Sequence, residues 1–184
     1  FMDEMFDKTL SGTIAHPPVV DRNDTATIGY TCELLKWFKP ALTVVNLNDV
    51  DNCHSNFSGY LKNLHRADHG VGHLWNYIQN EIPEMAGNTT IICTPECGRN
   101  AEPNNILDEN DWRAYDHSDE NSLRIFSLMT GPTTPAGLVV GEEGNPIGQV
   151  SDTMMTVADI LGVLPEVQNA GMVAPGSQTL FNYI

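Results

Sequence analysis

The run ALTVVNL, residues 41–47, constrains the fold more than any other stretch. It is uncharged and rich in β-branched side chains, with no polar alternation. Such a run suits a strand covered on both faces. NTTIICT (88–94), after a Gly87-Asn88 turn, and LRIFSLMTG (123–131), ended by Pro132, read the same way. GLVVG (137–141) reads as a short fourth strand. Helical patterns lie between these runs. Asp24 is placed to cap a helix through TATIGYTCELLKWF, which Pro40 stops. Ser55 or Asn56 opens a long helix to about Asn80. Its apolar stripe is Phe57, Tyr60, Leu61, Leu64, Ala67, Val71, Leu74, Trp75 and Ile78. Ser151 caps DTMMTVADILG, and Gly162 closes it. Strands alternating with helices predict an α/β fold, layered α/β/α around a largely parallel central sheet. Residues 1–23 lack a period and read as a loop or displaced segment. No domain boundary is visible, so residues 1–184 read as a single domain.

The formal net charge of −15 excludes an ordinary nucleic-acid binder and disfavours an anionic membrane surface. It fits a secreted or periplasmic setting. An anionic substrate then needs positive charge supplied locally, and a divalent metal supplies it. Cys32, Cys53, Cys93 and Cys97 form no C-x-x-C pair and read as small buried residues. The chain starts at Phe1 and is expected to derive from something longer.

Metal-type side chains gather beside the strand runs. Asp49, Asp51 and His54 follow the first, Glu96 follows the second, and Asp116 and His117 precede the third. Carboxylate and imidazole together suit Zn²⁺ or Mn²⁺ in hydrolases. Asp49 and Asp51 also suit a plain turn, and Glu96 with Arg99 a solvated loop pair. His65, His69 and His73 recur every four residues but fall on the polar side of the long helix, so a solvated face is expected. Asp68 falls at the edge of the apolar stripe and suits a hydrogen-bonded structural role.

The order of these pieces resembles the C-terminal half of the alkaline phosphatase superfamily, in its phosphodiesterase, nucleotide pyrophosphatase and sulfatase-like branch. PALTVVNLNDVDNCHS is similar to the strand delivering that family's aspartate and histidine ligands. RADHGVGHLWNYIQ is similar to the helix that follows it, and TTIICTPECGRN stands where the family has a strand and Asp-His-Gly-Arg. YDHSDENSLRIFSLMTGP resembles the segment with the last histidine ligand, and VSDTMMTVADILGV the closing helix. The likeness covers about residues 30–165.

The resemblance implies a sheet truncated at the N-terminus and a divalent metal, with zinc favoured over manganese or calcium. One ion would be held by Asp51, His54 and His117, with Asp49 as the alternative aspartate. Glu96 and Cys97 would contribute to a second ion. Arg99 and Asn100 would contact a small anionic ester. The family's aspartate and histidine stand four positions apart, whereas Asp51 lies three before His54 and Asp49 five before it. Glu96-Cys97 replaces an aspartate-histidine pair, and no nucleophile-bearing strand-turn-helix is found before residue 24. The expected function is hydrolysis of phosphate or sulfate esters, incomplete in this chain alone. A non-catalytic binding relative and a phosphoglycerate mutase-like isomerase are the alternatives. A truncated sheet is also expected to self-associate through its open face.

Overall fold

The computed structural model describes residues 23–142 and 144–184. The expected irregular segment at the N-terminus lies, apart from Asn23, outside the described residues. The described residues divide into two compact units. Among the described residues, the first comprises 23–89 and 99–122, and the second 90–98, 123–142 and 144–184.

The first unit is built on two helices, α1 (Asn23–Phe38) and α2 (Phe57–Glu81). Ile28, Cys32 and Leu35 recur at helical spacing on α1 and are buried, as are Leu74, Tyr77 and Ile78 on α2. Gly70 sits against Ile28: a Cβ there would lie 3.2 Å from Ile28 Cγ1. Burial pushes the Cys32 thiol up to about 12, so it stays a neutral core group. Lys39 ends α1 in the left-handed region (φ 45°), and its N–H donates to the Leu35 carbonyl just before Pro40. Asn56, in extended geometry, caps α2 by accepting from the Gly59 N–H at 2.7 Å.

The apolar stripe of α2 is narrower than its sequence implies. Leu61 and Leu64 are exposed, and Asn63 and Gly70 take part in the buried face. Phe57 and Tyr60 turn instead to the 99–122 segment, with Phe57 5.9 Å from Trp112 and 5.7 Å from Tyr115 between ring centroids. Asp68 is exposed, not seated at a buried edge. Periodicity finds the helix, but the partner element decides which of its apolar residues are covered.

The second unit holds β1 (Ile91–Cys93) and β2 (Leu128–Thr130), paired antiparallel with Ile92 opposite Met129. Gly131 lies against Thr90, where a Cβ would come within 2.9 Å of the Thr90 Cα. Helices α3 (Asp152–Ile160) and α4 (Leu164–Asn169) follow. Gly162, at φ 71°, closes α3, with the Val163 N–H donating to the Ala158 carbonyl. Ser151 is not the expected cap, because its backbone is already helical and its side chain makes no capping bond. The fully buried Asp152 organises that end instead. Its carboxylate accepts from the Gln149 N–H, the Gln178 N–H and the Tyr183 hydroxyl. Burial works against its charge, but these three donors win and its pKa is lowered.

The layered α/β/α fold with a parallel central sheet is therefore corrected. The described residues hold four α-helices and a two-stranded antiparallel sheet. The 41–47 run forms no strand and joins no ladder among the described residues, and Val44 is 85% exposed. GLVVG forms no strand, and Val139 stands in solvent. Apolar β-branched runs predispose a chain to be extended; a strand exists only where another backbone completes its hydrogen bonds. No helix among the described residues is long and apolar enough to cross a membrane.

Candidate metal site

The first unit carries the site, and its construction begins with a buried carboxylate. Asp24, in the first turn of α1, does not serve as the expected cap. Its oxygens accept the N–H groups of Asn48 and Asp49, at 2.7 and 3.0 Å. Burial raises its pKa, and those two donors pull the other way. Asn63 on α2 donates to the Asp49 carbonyl at 2.8 Å. Asn104 donates to the His54 carbonyl at 3.0 Å. Between these anchors the chain turns through a short 3-10 helix, Asp51–Cys53. Such a helix has three residues per turn, so their spacing of three brings Asp51 and His54 onto one side.

The 99–122 segment supplies the other wall. Asp108 accepts from the N–H groups of Asn110 and Trp112, and from both the N–H and hydroxyl of Ser58. Led by the Ser58 hydroxyl, these donors hold its carboxyl at about 2. Asn100 donates its N–H to the Asp116 carbonyl, and its side-chain oxygen accepts from Ser118 and Asp119. Arg99 joins the two walls. Its guanidinium donates to the Val50 carbonyl at 3.1 Å and the Tyr115 carbonyl at 3.3 Å, and stacks over Tyr60 at 4.9 Å.

These anchors bring Asp51, His54 and His117 together, the one metal-capable group among the described residues. His54 Nε2 is 3.2 Å from Asp51 Oδ1, and His117 Nε2 is 4.0 Å from the same oxygen. The two imidazoles lie 4.6 Å apart between centroids. All three side chains are partly exposed, which leaves the group open to a small molecule. Asp116 stands beside it, accepting from the His117 N–H at 2.8 Å with its Oδ1 3.2 Å from His54 Nδ1. The His117 N–H first, and His54 second, hold the Asp116 carboxyl below its ordinary value.

No family model, curated protein or solved structure matches this chain.

The remaining candidates fall elsewhere. Asp49 is buried and does not join the group; its Oδ2 has no hydrogen-bond partner and its carbonyl serves Asn63. Glu96 and Cys97 belong to the second unit, where the thiol lies 3.9 Å from the carboxylate. Arg99 and Asn100, expected to touch substrate, spend their polar atoms on backbone and neighbouring side chains of the site walls. Their sequence neighbourhood marked them as important, but only the folded loops reveal what they hold. Asp116, grouped with His117 among the metal-type side chains in the sequence, stands beside the group of three rather than within it. His65 and His69 are exposed on α2 and join no such group.

Proposed function

We propose that Asp51, His54 and His117 hold one divalent cation in a site for hydrolysing phosphate or sulfate esters. The single observation carrying this reading is the donor set itself: one carboxylate and two imidazoles within 4.8 Å of one another. The 3.2 Å separation of His54 Nε2 and Asp51 Oδ1 matches an edge of a tetrahedron with bonds of about 2.0 Å. Two nitrogens and one oxygen favour zinc, then manganese; calcium prefers all-oxygen surroundings. A cation bound there supplies Lewis acidity to a phosphoryl or sulfuryl oxygen and eases ionisation of a nearby hydroxyl or water. Asp51 is the one carboxylate among the three donors, so the donor set itself offsets only part of a double positive charge. His54 and His117 present neutral nitrogen donors, and the open side admits the ester.

This reading leans on donor chemistry and the family resemblance, not on the fold, because the described residues lack the expected sheet. It leaves the nucleophile unassigned and keeps Glu96 and Cys97 as candidates for a second cation.

The test is metal binding followed by turnover. The purified chain should retain about one zinc after dialysis, and His54→Ala or His117→Ala should lose it. Zinc-loaded protein should cleave an aryl phosphate, phosphate diester or sulfate more slowly after either substitution. Metal retention unchanged in both variants would sink the site.

A further inference from the structure

Both ring nitrogens of His54 face a carboxylate at 3.2 Å, Nε2 toward Asp51 and Nδ1 toward Asp116. A neutral imidazole has one ring proton, so it can donate to only one of them. Asp116 is the more firmly held acceptor. Its Oδ1 also receives the His117 N–H at 2.8 Å, and its carbonyl receives the Asn100 N–H at 2.8 Å. Asp51 has no comparable anchor on its side chain among the described hydrogen bonds, and it lies on the side that His117 also faces. A ring proton kept on Nδ1 for Asp116 would leave Nε2 free toward the cluster, where a cation between Nε2 and Asp51 would relieve the repulsion of two facing lone pairs.

We propose that Asp116 is a positioning residue that holds His54 in its Nδ1–H form and aims Nε2 at a divalent cation. The proposal rests on the metal-site reading above. A carboxylate behind a ligating imidazole fixes the ring and raises its donor strength, and losing one typically weakens metal affinity about 10–100-fold. The rival arrangement is a doubly protonated His54 bridging two acids, with no cation.

The experiment uses ¹⁵N-labelled full chain as wild type, Asp116→Asn and Asp116→Ala. Zinc affinity is measured by chelator competition, ring nitrogen shifts by NMR, and folding by thermal unfolding. Zinc-loaded wild type should carry the His54 proton on Nδ1, with Nε2 shifted relative to the metal-free chain. Asp116→Ala should bind zinc about 10–100-fold more weakly and lose the tautomer preference. Asp116→Asn keeps an oxygen able to accept from both donors, so it should recover part of the loss. If wild type binds zinc and both variants match it in affinity and ring shifts, the role of Asp116 is overturned while the metal site stands. If wild type binds no zinc and His54 carries two ring protons, both readings are overturned.

Discussion

The imidazoles of His54 and His117 lie 4.6 Å apart, tilted by 56°, although they come from opposite walls of the first unit. Neither wall contains a regular strand. Side chains bonded to backbone hold them in place, namely Asp24, Asn63, Arg99, Asn100 and Asn104. The site is therefore only as well formed as these polar anchors.

Arg99 should behave as a clamp. It reaches the carbonyl just before Asp51 and a carbonyl two residues before His117. A lysine cannot reproduce the two-pronged donation or the stacking on Tyr60. Arg99→Lys should weaken zinc binding several-fold while helix content stays constant by circular dichroism. Unchanged affinity by calorimetry would count against the clamp.

Asp108 should contribute to acid sensitivity. Its folded carboxyl sits at about 2, below the ordinary value of 3.8. The folded state therefore binds that proton less readily than the unfolded chain. The stabilisation is fully present above about pH 4 and is lost as pH falls toward 2. Urea unfolding between these pH values should show Asp108→Asn with a shallower pH slope than wild type. Parallel slopes would remove Asp108 from the account.

Two glycines should respond in opposite directions. A Cβ at Gly131 would lie 2.5 Å from Thr90 Oγ1 and 2.9 Å from its Cα, so Gly131→Ala should cost about 1–3 kcal/mol. Gly72 is exposed on α2 with nothing within 4 Å of a Cβ. Gly72→Ala should stabilise by about 0.5–1 kcal/mol through helix propensity. Denaturant midpoints of the two variants check both signs.

The 41–47 segment should promote self-association. It is uncharged, its backbone joins no ladder among the described residues, and Val44 is 85% exposed. Such a segment is a template for another backbone, and a lysine is a common way of blunting it. Wild type should grow in mean mass with concentration by light scattering, and Val44→Lys should reduce that growth. A monomer at every concentration would refute the idea.

The long helix α2 was legible because 25 residues sustain one helical period after a capping asparagine. α1, ended before Pro40, and α3, closed by Gly162, were legible for similar local reasons. The sheet was not. Its expected strands were inferred from apolar, β-branched composition, which cannot say which backbones pair or in what direction. Local pattern assigns the cap of α3 to Ser151, whereas the buried Asp152 holds that turn. The difference lies in contacts to Gln178 and Tyr183, far along the chain.

The sequence by itself determined the three longer helices, the acidic charge and the residue types able to bind a cation, because these depend on near neighbours and composition. Only the tertiary structure decided that Asp51 rather than Asp49 meets His54 and His117, and that Arg99 braces the loops. Those outcomes depend on which distant backbone groups a side chain can reach, and local pattern carries no record of that reach.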